Sequence, residues 1–145
     1  MLKVDSINVF YGNVQVLWDI SFYAQEGEIV SIVGANGAGK TTILRTLSGI
    51  LNPKRGTINF MGEDISNFAT HEILNRGIVH IPEGRQLFSD MTVLENLEVG
   101  SCLKEAKKKR KESLELVFEM FPKLAERQKQ LAGTLSGGEQ QMLAI

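Results

Sequence analysis

The apolar residues of this chain fall into two rhythms. Over residues 2–10 they alternate loosely with polar ones, and over residues 16–24 (VLWDISFYA) they do so again, with Gly12-Asn13 in between. Alternation on both sides of a turn predicts two strands in an antiparallel hairpin. Gln25-Glu26-Gly27 turns the chain into residues 28–33 (EIVSIV), a β-branched run apolar on both faces, which reads as a buried strand. Residues 42–48 then carry helical spacing, with Ile43, Leu44 and Leu47 on one face and Gly49 as a C-terminal cap. Asn52-Pro53-Lys54-Arg55-Gly56 is rich in helix breakers, residues 57–61 read as a short strand, and Gly62-Glu63-Asp64 as a turn. A short helix over residues 70–76 is stopped by Gly77, and Ile78-Val79-His80-Ile81 reads as a buried-type strand ended by Pro82.

From residue 84 the pattern becomes helical. Thr92-Val93-Leu94-Glu95 is a capping box that opens one helix. Leu114, Val117, Phe118, Phe121 and Leu124 keep the spacing of another, with a break or kink expected at Pro122. The division expected is an α/β part over residues 1–83 and a helical subdomain over 84–145. Lys107-Lys108-Lys109-Arg110-Lys111 is expected as a solvated face.

Composition narrows the picture by exclusion. At 145 residues, 43% hydrophobic and 23% charged, the chain is of ordinary globular make-up with room for one core. A net charge of -1 gives no footprint for nucleic acid. Cys102 is the single cysteine, so no disulfide framework is expected, and a small half-buried hydrophobe is its expected role. No apolar run is long enough to span a bilayer, and Met1-Leu2-Lys3-Val4-Asp5 lacks the core of a signal peptide. His71 and His80 have no cysteine near them and do not suggest zinc.

Two short stretches carry the chemistry. Gly34-Ala35-Asn36-Gly37-Ala38-Gly39-Lys40-Thr41 fits G-x-x-x-x-G-K-[ST], between a strand-like run and a helix-like one. Glycines let backbone N–H groups curl around an anion, and the helix N-terminus adds about half a positive charge. Lys40 can bridge terminal phosphates, and the Thr41 hydroxyl suits Mg²⁺, a hard cation. Leu135-Ser136-Gly137-Gly138-Glu139-Gln140-Gln141 is the second stretch. Ser136 and Glu139 form a capping box, but two glycines in a first turn cost roughly 1 kcal/mol each against alanine. Bared N–H groups at a second anion site would account for them.

A phosphate loop followed by LSGGE resembles the ATP-binding subunits of ABC transporters, over the whole chain. The resemblance implies an α/β P-loop ATPase fold, with an N-terminal antiparallel sheet, a helical subdomain and a core sheet incomplete within these residues. It implies that Gly34, Asn36, Gly37, Ala38, Gly39, Lys40, Thr41 and Thr42 hold ATP and Mg²⁺. Tyr11 would stack on adenine through its ring face, which makes its hydroxyl dispensable. Ser136, Gly137, Gly138 and Glu139 would act on the ATP of a second ATPase subunit in a head-to-tail dimer. Glu83 stands where most members have a glutamine that reaches Mg²⁺ and the attacking water. That exchange is similar to the subgroup that imports branched-chain amino acids. The implied setting is cytoplasmic and peripheral, on the inner face of the cell membrane, against permease subunits, served indirectly by an external solute-binding protein, with no nucleic acid. Gly84 to Cys102 resembles the permease-docking surface. The family's next parts, a strand ending in Asp-Glu and a switch histidine, have no match here. The resemblance thus implies the N-terminal part of such an ATPase, ending after the signature and without turnover alone, with Lys40 and Glu83 contributing to an incomplete catalytic set. A non-enzymatic nucleotide-binding module, an ABC ATPase for another solute, a phosphate-loop kinase and a soluble ABC ATPase are the rival readings.

Overall fold

Val4, Ile7 and Val9 point inward from β1 (Leu2–Tyr11), a spacing of three and then two, so simple alternation is broken. The break is a bulge. The register against β2 (Val14–Ala24) shifts between Val4 and Ile7, where Ser6 takes a φ of 47°. The computed structural model describes residues 1–145. In it β1 and β2 form the expected antiparallel hairpin around Gly12-Asn13. β3 (Arg55–Phe60) pairs antiparallel with the other edge of β1, and β4 (Glu63–Asp64) with β3, in the order β2-β1-β3-β4. Glu63 and Asp64 thus form a short strand, and the turn is Met61-Gly62.

Helix α1 (Lys40–Leu47) lays Ile43 on this sheet's core with Val4, Ile7, Val9, Leu17 and Ile58, and α2 (Thr70–Asn75) adds Ile73. Its inward residues are Thr42, Ile43 and Thr46, whereas Leu44, expected inward, is 44% exposed. Ile43 and Leu47 do pack on the core as the apolar spacing predicts, and Leu44 alone of the three faces outward.

The strands expected over residues 28–33 and 78–81 do not form. From Ile29 to Gly37 no backbone N–H donates to another backbone carbonyl. Ile29 is 95% and Val33 92% exposed. A strand exists only through a neighbour that completes its ladder. No segment among these residues takes that place.

The chain divides into two compact units, Met1–His80 and Ile81–Ile145. The second holds α3 (Val93–Gly100), α4 (Lys104–Lys108), α5 (Arg110–Met120), α6 (Pro122–Glu126), a 3₁₀ turn (Ala132–Thr134) and α7 (Gly137–Ala144). The break at Pro122 is where the sequence puts it, with proline as first residue of α6. Val93, Leu124, Ala132, Leu135 and Leu143 form this unit's own core, with Phe118 and Phe121 packed on it. Cys102 is exposed rather than half-buried, because it follows the end of α3 instead of lying on an inward face. No helix is long and apolar enough to cross a membrane.

Candidate functional site

The phosphate-type loop enters α1 through Gly39, which takes φ 92° and ψ 5° at the N-cap. A β-carbon there would stand 2.5 Å from Leu17 Cδ2, so both the dihedral and the floor beneath it call for glycine. Gly37 also has positive φ, 85°, with open space around it. Gly34, Asn36 and Ala38 are exposed. No side chain caps α1 and its first turn has no acid, so the helix start keeps its positive end. Lys40 Nζ donates to the carbonyls of Gly34 and Ala35, each at 2.8 Å, which stitches the loop across its own mouth. Thr41 is half-buried and Thr42 buried. The Thr42 carbonyl accepts from Thr46 Oγ1 at 2.8 Å, which fixes the first turns of α1.

Tyr11 ends β1 in the same unit and is 41% exposed. Its hydroxyl accepts from Arg45 Nη1 at 3.3 Å. Arg45 first, and Thr42 second, favour the phenolate and hold the phenol below its ordinary pKa. Arg45 is a residue the sequence reading missed. Its one local signal is the i, i+3 relation to Thr42 on α1.

The signature stretch opens α7 in the second unit. Ser136 is its N-cap, and its hydroxyl accepts from Glu139 N at 3.4 Å. Glu139 Oε2 accepts from Ser136 N at 2.9 Å, closing the expected box. These bonds to Ser136, with Arg127 lesser, hold the Glu139 carboxyl below its usual range. Arg127 Nε lies 3.1 Å from Glu139 Oε1, close enough for an ion pair although not aligned as a hydrogen bond. Gln140 takes Arg85 Nη1 at 2.8 Å on its Oε1 and sends its Nε2 to the Ala132 carbonyl at 3.3 Å. The two glycines differ. A β-carbon on Gly137 would meet Arg85 Nη2 at 3.3 Å, but one on Gly138 would meet nothing within 4 Å. Glu83 sits in an exposed turn with Gly84 in this second unit.

The structure thus brings Tyr11 and residues 34–42 into one unit, and Glu83 and residues 136–139 into the other.

Residues 17–145 match the family described as ABC transporter. The high-affinity branched-chain amino acid transport ATP-binding protein BraG of Pseudomonas aeruginosa is 45% identical over the whole chain, which spans 62% of that relative. A nucleotide-free ATP-binding cassette from an ABC transporter superposes with a TM-score of 0.85 at 27% identity, over 99% of this chain and 62% of that one. A dimeric ATP-binding cassette bound to ADP and Pi superposes with a TM-score of 0.75 at 26% identity, over 99% of this chain and 67% of that one.

Proposed function

Because the chain belongs to the ABC transporter family, we propose that it is the nucleotide-holding part of an importer ATPase that couples ATP hydrolysis to uptake of branched-chain amino acids. The observation that carries the ATP reading is the start of α1. It has positive-φ glycines at positions 37 and 39, no side-chain cap, no acid in the first turn, and an ammonium across the loop mouth. Those groups fit a magnesium triphosphate. The N–H groups offer donors with no acid in the first turn to compete, and Lys40 exchanges two neutral carbonyls for charged phosphate oxygens, which are stronger acceptors. When bound, Mg²⁺–ATP supplies the anhydride to be cleaved and the cation that offsets its charge. The chain's own groups hold and orient it, Thr41 and, by its motif position, Glu83 offering oxygens to the metal. Catalysis of this type is positioning and charge neutralisation.

The solute assignment is supported by full-chain similarity to BraG. The signature loop's action on a second subunit's ATP is supported by Gly138, which this chain's own packing does not require. Permease subunits on the inner face of the membrane, and an external solute-binding protein beyond them, complete the proposed setting. The 145 residues alone bind ATP without turnover, since general-base work contributes about 10²–10⁴-fold and no matched base is among them.

Two measurements test this. Calorimetry of residues 1–145 with MgATP should show saturable binding with no sustained phosphate release. Absence of binding removes the ATP reading, and multiple turnovers remove the claim of inactivity. Deletion of the gene for the whole protein should abolish high-affinity uptake of labelled leucine. Unchanged uptake overturns the solute assignment alone.

A further inference from the structure

Resting on that ATP reading, we propose that Arg45 is a positioning residue: it holds the Tyr11 ring by its hydroxyl so that the ring face meets the nucleotide base. The hydroxyl, dispensable to stacking itself, is therefore not idle.

The backbone on either side of Tyr11 is fixed. Tyr11 pairs with Val14 across the hairpin end. Lys54 Nζ donates to the Gly12 carbonyl at 3.4 Å and lies 4.5 Å from the Phe10 ring centroid. That leaves the two side-chain torsions of a ring that is 41% exposed. The bond from Arg45 Nη1 removes this freedom. An ordered ring needs to lose less entropy when a base arrives, which is the general gain of preorganisation. Arg45 also stands on the helix whose first residue is Lys40. Five residues at a 1.5 Å rise separate the two by about 7.5 Å along the axis. One short rod, held in the core by Ile43 and Thr46, thus sets both the phosphate end and the ring that would meet the base.

The test uses two probes on the full chain, MgATP and magnesium tripolyphosphate, the second having phosphates but no base. Arg45→Ala and Tyr11→Phe should each weaken MgATP about three- to tenfold, the range of one hydrogen bond. The double variant should be no worse than the weaker single one, because both changes remove the same bond. Tripolyphosphate should bind all variants as it binds the wild type. Arg45→Lys, which keeps a cationic donor, should recover part of the loss. Equal weakening of both probes in Arg45→Ala would make Arg45 a direct phosphate ligand and overturn the proposal. So would wild-type MgATP affinity in Tyr11→Phe, or simple additivity in the double variant. Failure of both probes on the wild type would instead strike the ATP reading beneath it.

Discussion

Helices α1 and α7 are each eight residues long and each opens on a glycine-bearing loop, but their first turns are wired in opposite senses. At α1 no side chain caps the N–H groups, the first turn holds no acid, and the first residue is a lysine. At α7 the Ser136 hydroxyl and the Glu139 carboxylate already occupy the donors they can reach. The first start keeps its N–H donors open, and on the proposed reading it receives the nucleotide's phosphates. The second has its Ser136 and Glu139 N–H groups held by the box, while those of Gly137 and Gly138 make no bond within the chain, so it holds its shape and still presents two donors to another surface. Glycine content alone does not separate these cases. The capping side chains do.

The strongest way to break this contrast is at Lys40. Lys40→Ala should lower MgATP affinity by roughly 10- to 100-fold, the scale of a lost charge-assisted contact. Calorimetry decides it, and equal affinity in mutant and wild type would erase the distinction.

Gly39 and Gly138 test the same contrast in the backbone. Gly39→Ala should cost about 1–3 kcal/mol, from a left-handed dihedral and from crowding against Leu17. Gly138→Ala has open space and no positive φ, so it should be neutral or stabilising by up to about 1 kcal/mol. Denaturant melts of the two variants read this directly. Equal losses would mean that both glycines serve the fold.

Ser136→Ala should remove about 1 kcal/mol of stability through the lost cap. It should leave MgATP affinity of the monomeric chain unchanged. A large drop in affinity with folding intact would place the signature loop at this chain's own nucleotide.

The smallest effect is a matter of pH. The Glu139 carboxyl is depressed in the fold, so its stabilisation is present above the ordinary glutamate pKa and is lost as pH falls through the depressed value. Melts taken downward from pH 6 should therefore fall less for Glu139→Gln than for the wild type. Parallel curves would show that the box contributes no charge-dependent stability.

What the sequence made legible follows from locality. The capping boxes at Thr92 and Ser136, the break at Pro122, the stop at Gly77 and the left-handed entry at Gly39 are each decided within a few residues, by side-chain reach or by permitted dihedrals. The pairing of residues 28–33 was not legible, because β-branched composition says only that a strand would suit them. Ladder partners lie far away in sequence or are lacking. The bulge at Ser6 was equally hidden, since serine is no usual bearer of positive φ. At the candidate site, the motif's spacing located the loop that enters α1 through Gly39. Arg45 could not, because its partner is 34 positions away and meets it only once β1 and α1 share a core.

The uncovered run that leads into α1 has a consequence for the integrity of the chain as one polypeptide. Residues 25–38 are exposed without interruption, and Ile29, Val30, Ile32 and Val33 offer themselves to a protease that cuts beside aliphatic side chains. A single nick there severs the β1–β2 hairpin from everything that follows. It does not release it. β1 remains zipped to β3 from Leu2↔Phe60 to Asn8↔Arg55, with Val4 and Ile58 sealed in a shared core. The nicked protein should therefore run as one species on a native gel and as two on a denaturing one. Tyr11 and Lys40 would then belong to different peptides, and the hairpin, supplied separately, should complement the remainder.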